Sequence, residues 1–187
     1  MKKNLFIENS TIKDIFNLSL KKFKNKVFLE SPRSKFNDSF NEYSFHDVHN
    51  YIKLFSSYFR KVCIQTGDRV AIITGNIPEF FILKIALNYN GVSCVPLNYE
   101  LTNPELNYII KHSKSSHIIC RNFFLKKVIN FIDTYEISIS IFNENNLSIF
   151  KSIKKKRKII SSKIKPSNEA SLIYTSGTTG KPKGCIL

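Results

Sequence analysis

Ten residues concentrate the groups that chemistry needs. Thr175-Ser176-Gly177-Thr178-Thr179-Gly180-Lys181-Pro182-Lys183-Gly184 holds four hydroxyl side chains, three glycines and two lysines. Glycine lets the backbone turn sharply and brings N–H groups close to an anion. Hydroxyls donate further hydrogen bonds to phosphate oxygens, and lysines supply point charges. The preceding Ala170-Ser171-Leu172-Ile173-Tyr174 reads as a strand. A strand that feeds such a loop is one way a fold cradles a polyphosphate. The spacing excludes a Walker A loop, which needs GxxxxGK followed by Ser or Thr: Gly180-Lys181 is followed by Pro182, and two residues separate Gly177 from Gly180. A flexible Ser/Gly linker would not require this order of groups after a buried strand.

Other reactive side chains are scattered. His46 and His49 lie three apart without a third ligand, and they read as solvated helix positions. His112 and His117 flank a Ser/Lys turn and read the same way. Cys63, Cys94, Cys120 and Cys185 form no CxxC pair and show no zinc spacing, so a metal site is not expected. Cys185 reads as a small apolar residue opening the next strand, with no base near it in sequence. The Asp and Glu residues show no paired-carboxylate pattern.

The elements that must position the loop follow from apolar spacing. Thr11 and Asp14 open a helix to Lys24, and Val27 to Glu30 is a short strand. Ser31 to Asn41 is polar and reads as a loop. Ser44 and Asp47 open the clearest helix, with Phe45, Val48, Ile52, Phe55, Phe59 and Val62 at steps of three and four. Arg69 to Thr74 is an apolar strand, Pro78 to Tyr89 a helix ended by Asn90-Gly91, and Val92 to Pro96 a strand. Thr102 to Ser113 is a helix, His117 to Cys120 a strand, Phe123 to Tyr135 a helix and Ile137 to Phe142 a strand. This alternation predicts an α/β fold, a mainly parallel sheet flanked by helices. Residues 150–168 read as a basic linker between that unit and the strand-plus-loop unit at 170–187.

Composition narrows the function classes. The 187 residues are 42% hydrophobic and 23% charged, ordinary globular usage. The window FFILKIAL at 80–87 is short and carries Lys84, and the start MKKNLFIENS lacks an apolar core, so neither a membrane span nor a secretory leader is expected. Scattered thiols fit a reducing cytoplasm. The net charge of +15 admits nucleic acid or an anionic membrane as partner, with Lys154 to Lys158 as the densest patch. The polar run continuing through Ser161, Ser162, Lys163, Lys165, Pro166, Ser167 and Asn168 favours a solvated linker. The richness in Lys, Asn, Ile, Phe and Ser fits AT-rich codon drift.

The order Tyr174 to Gly184, YTSGTTGKPKG, resembles the phosphate-loop signature of the adenylate-forming (AMP-binding) superfamily: acyl- and aryl-CoA synthetases, peptide-synthetase adenylation domains and luciferases. GDRVAIITGNIPEFFILKIALNYNGVSCVPLN (67–98) and LTNPELNYIIKHSKSSHIIC (101–120) are similar to that superfamily's upstream segments. The Gly184-to-Leu187 ending and the segment spacing resemble carnitine- or crotonobetaine–CoA ligases. The resemblance implies an N-terminal portion of the large domain. It implies an ATP-dependent acid–thiol ligase that works through an acyl-adenylate with pyrophosphate release. It also implies ATP, Mg2+ and coenzyme A as participants. Thr175, Ser176, Gly177, Thr178, Thr179 and Gly180 would hold phosphate oxygens, and Lys183 would neutralise charge. Lys181 falls where the family varies. The acyl pocket, the adenine- and ribose-binding motifs and a C-terminal domain with its catalytic lysine fall outside these residues. The chain alone is therefore expected to be inactive, with a complementing C-terminal fragment as the expected partner. The open alternatives are an amino-acid-activating adenylation domain, a non-catalytic remnant, and a basic nucleic-acid- or membrane-binding module.

Overall fold

The computed structural model describes residues 9–34, 37–131, 135, 137–143, 146–153, 163–175 and 182–187. Helix α1 (Ile12–Phe23) and helix α2 (Phe45–Lys61) start at reciprocal caps. Thr11 N–H donates to Asp14 Oδ2 at 3.0 Å and Asp14 N–H to Thr11 Oγ1 at 3.2 Å. Ser44 and Asp47 repeat the pattern at 2.9 and 3.1 Å. Each box satisfies N–H groups that the first helical turn leaves without partners. Between these helices, strands β1 (Val27–Ser34) and β2 (Asn37–Ser44) form an antiparallel hairpin with two irregularities in register. The sequence reading of 31–41 as loop missed it. Residues 31–41 carry little apolar alternation, while Phe28, Leu29 and Tyr43 of the pair pack against the core.

The main sheet follows: β3 (Arg69–Ile73), α3 (Pro78–Tyr89), β4 (Ser93–Pro96), α4 (Asn103–Ser113) and β5 (His117–Arg121). A short 3-10 turn (Asn122–Phe124), α5 (Leu125–Val128), β6 (Ser138–Asn143) and β7 (Asn146–Ile153) complete it. The strand order is β4-β3-β5-β6-β7, with β7 alone antiparallel to its neighbour. Val70, Ile72, Cys94 and Ile119 pack under α2 and α3 with Phe55, Phe59, Leu83 and Leu87. Ala71, Ile73, Val95, Ile118 and Cys120 pack under α4 and α5 with Leu106, Ile110 and Val128. Both sheet faces are covered, which is why β3 is apolar at successive positions rather than at alternate ones. The expected α/β architecture with a mainly parallel sheet is what these residues adopt.

Two boundaries differ from the sequence reading. The helix expected over 123–135 is interrupted: it opens as the 3-10 turn and the four residues of α5 and breaks at a turn at Ile129-Asn130, Phe131 and Tyr135 are again helical, and 132–134 lie outside the described residues. Both turn residues are weak helix formers, and Phe123 faces solvent. Residues 150–153, expected to open the linker, belong to β7. Lys154 to Lys158 lie outside the described residues.

The crossovers create the site's setting. From β3 the chain passes over one face to β4, then over the other face to β5 on the far side of β3. Connections that diverge this way leave a crevice at the C-terminal ends of the strands, where open α/β sheets bind ligands.

Candidate functional site

The strands that flank the loop form a hairpin beside that crevice. Strands β8 (Leu172–Thr175) and β9 (Lys183–Ile186) pair antiparallel, with Leu172 opposite Ile186, Ile173 opposite Cys185, Tyr174 opposite Gly184 and Thr175 opposite Lys183. Thr175 and Lys183 are therefore partners at the loop end, both exposed. Ser176, Gly177, Thr178, Thr179, Gly180 and Lys181 lie outside the described residues. The hairpin joins the main sheet at its β4 edge through a parallel bridge between Cys94 and Ser171.

Side chains hold the hairpin in place. Leu172 is buried in the core beneath α4. Tyr174 Oη lies 2.7 Å from His112 Nδ1, and the His112 ring stacks on Tyr108. Burial raises the Tyr174 phenol above its ordinary range. Gly184 gives the Tyr174 ring its space: a Cβ there would sit 3.0 Å from Leu172 Cδ1 and 3.3 Å from Tyr174 Cζ.

A cleft of about 590 Å³ opens beside Thr175 and Pro182. Its walls come from the C-terminal ends of β3 and β4: Thr74, Gly75, Asn76, Asn98 and Tyr99, with Phe80, Ile109 and Tyr174 beneath. Sequence reasoning took Gly75-Asn76 only as a strand break. The signal that could have marked it as site-lining was its place at the end of a doubly covered strand. A hydroxyl lining such a cleft, with a lysine as its ladder partner, suits an oxyanion-rich ligand.

The other candidates separate from this place. His117 is buried rather than solvated, with Nε2 2.5 Å from Ser140 Oγ, and burial pushes it down to about 3. His49 is half-buried and stacked on Phe16, and burial lowers its pKa. His112 keeps an exposed ring but is tied to Tyr174. Burial pushes the Cys94 and Cys120 thiols up to about 12, so neither is a nucleophile near neutral pH. Cys185 is exposed in β9. Among the described residues no three of His, Cys, Asp and Glu gather to hold a metal ion, and no helix is long and apolar enough to cross a membrane.

Comparison with known proteins agrees with the hairpin and the sheet together. The family described as AMP-binding enzyme matches residues 16–187. The chain is 28% identical over 157 residues to the crotonobetaine/carnitine–CoA ligase of Citrobacter koseri, covering 78% of this chain and 30% of that protein. It is 26% identical over 176 residues to 4-hydroxybutyrate–CoA ligase 2 of Metallosphaera sedula, covering 86% and 32%. The chain thus spans about 30% of the length of these relatives. The crystal structure of a long-chain-fatty-acid–CoA ligase from Archaeoglobus fulgidus superimposes with a TM-score of 0.77 at 21% identity, over 97% of this chain and 37% of that one. At that identity the likeness speaks for the fold.

Proposed function

The chain belongs to the AMP-binding enzyme family, and we propose that it carries the phosphate-gripping part of an ATP-dependent acid–thiol ligase. In the proposed reaction a substrate carboxylate oxygen bonds to the α-phosphorus of ATP. The bond from that phosphorus to the bridging oxygen breaks, and pyrophosphate leaves with its electron pair. A thiolate, coenzyme A in our reading, then attacks the acyl carbon of the adenylate and AMP departs. The observation that carries the reading is the pairing of Thr175 with Lys183 at the mouth of the strand-end cleft.

The chain's own residues would act on the leaving group. Thr175 would donate its hydroxyl to a β- or γ-phosphate oxygen, and Lys183 would neutralise charge that builds there as the bond breaks. Ser176, Gly177, Thr178, Thr179 and Gly180 would add hydroxyl and backbone donors between them, with Lys181 a lesser contributor. Transfer of this kind needs positioning and charge neutralisation more than covalent help from the protein. Mg2+, when bound with the nucleotide, would supply further neutralisation. It prefers phosphate oxygens and water to a dedicated protein cage, which fits a site whose described donors are hydroxyl and ammonium. We place the reaction in the cytoplasm, where free thiols such as Cys63 and Cys185 stay reduced.

Two measurements test this. Pyrophosphate titrated into the chain by calorimetry should bind wild type and fail with Lys183→Ala. Protein purified from its source cells should exchange pyrophosphate into ATP only when a suitable acid is present. The relatives named for crotonobetaine/carnitine and 4-hydroxybutyrate make small carboxylic acids the first to try, with amino acids and fatty acids beside them. Absence of both pyrophosphate binding and exchange across the panel would reject the proposal.

A further inference from the structure

The residues that lead into β8 are fastened to the far end of the sheet from the cleft. Glu169 is gripped by the first residues of two strands. Arg69, opening β3, donates from Nε to Oε1 at 2.8 Å and from Nη2 to Oε2 at 2.6 Å. Ser93, opening β4, donates from Oγ to Oε1 at 2.5 Å. Arg69 Nη1 also donates to the Ser113 carbonyl at the end of α4, at 3.0 Å. One residue on, the Ala170 carbonyl accepts from buried Asn88 Nδ2 at 2.6 Å and from the Cys94 N–H at 3.1 Å. The ion pair is only about a quarter exposed on each side, at 27% and 21%.

This network stands where the backbone joins the hairpin to the main sheet least. β8 pairs over four residues with β9, but with β4 it has only the isolated bridge between Cys94 and Ser171. A slip of β8 by one residue against that edge would turn every side chain to the opposite face. Thr175 would then leave the cleft. A fixed polar network specifies register at such a point, because only one alignment satisfies all its donors and acceptors. Glu169 lies six residues before Thr175, roughly 20 Å of extended chain, so it cannot touch a ligand at the loop. It acts through β8.

We propose that Arg69, Ser93 and Asn88 form a clasp on Glu169-Ala170 that sets the register of β8, so that these are positioning residues for the phosphate loop. The proposal deepens the functional reading above and rests on it. Arg69 suits the role because its planar fork reaches both carboxylate oxygens while its third nitrogen reaches Ser113, which a lysine could not reproduce.

Hydrogen–deuterium exchange and pyrophosphate titration on the 187-residue chain test it together, with Glu169→Gln, Arg69→Lys and Ser93→Ala. The expected result is about tenfold faster amide exchange across 172–175 and 183–186, from the loss of a charge-assisted bond. Exchange in β5 (117–121) should be unchanged, and pyrophosphate affinity should fall about tenfold in step with the loosening of the hairpin. If Glu169→Gln also loosens β5, the milder Ser93→Ala decides. Unchanged exchange in the hairpin overturns the clasp. So does a loosened hairpin that binds pyrophosphate as wild type does, because the network would then be structural only. A wild-type chain that ignores pyrophosphate overturns the phosphate-loop reading itself, and does so independently of the exchange data.

Discussion

Thr175 and Lys183 stand directly opposite each other across the β8–β9 ladder. Side chains of opposed residues share one face of a sheet, with Cβ atoms about 5 Å apart. A hydroxyl and an ammonium therefore share one face at the loop end of the hairpin, where Thr175 lines the cleft. Lys183→Ala should weaken pyrophosphate binding by about a hundredfold and flatten its dependence on salt. Thr175→Val should weaken it by about tenfold and leave the salt dependence in place, since it removes one neutral donor. Equal effects of the two changes would contradict the division of labour between charge and hydroxyl.

Gly184 gives a second prediction, this one on the hairpin itself. Its absent Cβ is what lets the Tyr174 ring lie across the strand, and Leu172 is too deeply buried to yield. Gly184→Ala should lower stability by about 1 kcal/mol through overpacking. Exchange in 183–186 should rise more than exchange in β5. A midpoint of urea unfolding that does not move, with unchanged exchange in β9, would show that the ring has room to shift.

What the sequence disclosed was local. The Thr11/Asp14, Ser44/Asp47 and Thr102/Glu105 caps and the stripe from Phe45 to Val62 were readable because each lies within a turn or two of its partner. The apolar run of β3 announced a doubly covered sheet. The first half of β1, Val27 to Glu30, was legible, but β2 and the pairing stayed hidden because 31–41 carry no alternating pattern. His117 was misread because a histidine beside a Ser/Lys turn looks solvated until β6 brings Ser140 to it. The bond between Arg69 and Glu169 joins residues 100 apart, and neither has a neighbour in sequence that hints at the other. The loop's chemistry was visible in residue types, but the placement of its flanking Thr175 and Pro182 beside Gly75, Asn76 and Asn98 required the fold.

The cysteines offer a reporter of the same site. Cys94 and Cys120 are buried with thiols pushed up to about 12, whereas Cys185 is exposed two residues from Lys183. A chromogenic disulfide reagent near neutral pH should leave Cys94 and Cys120 unmodified until the chain unfolds, and should label Cys185 in the folded protein. Pyrophosphate should slow the labelling of Cys185, because residues i and i+2 of a strand share a face. Labelling of Cys185 that ignores pyrophosphate would mean that the ligand does not approach Lys183.

His117 gives a prediction with a defined sign. Its ring is buried, its Nε2 meets Ser140 Oγ, and Ser140 Oγ also meets Tyr58 Oη at 2.6 Å. Burial holds the folded pKa down to about 3, against roughly 6.5 for an unfolded histidine. Above the unfolded value both states are neutral and the group adds no pH dependence. As pH falls below it, the unfolded chain takes a proton that the folded chain refuses, and stability drops by about 1.4 kcal/mol per unit. The carboxylates held low by their partners, Asp14, Asp47, Glu105 and Glu169, weaken the fold only below their unfolded values near 4, so they leave the window above pH 5 clear. His49 contributes in the same direction as His117, and comparison with a variant removes its share. Between pH 7 and pH 5 wild type should therefore lose about 2 kcal/mol more than His117→Gln, measured by urea unfolding. Ser140→Ala should lower stability at both pH values and keep the wild-type slope, because the shift comes from burial and not from the serine bond. A slope in His117→Gln equal to that of wild type would show that His117 takes up its proton in the folded chain as readily as in the unfolded one.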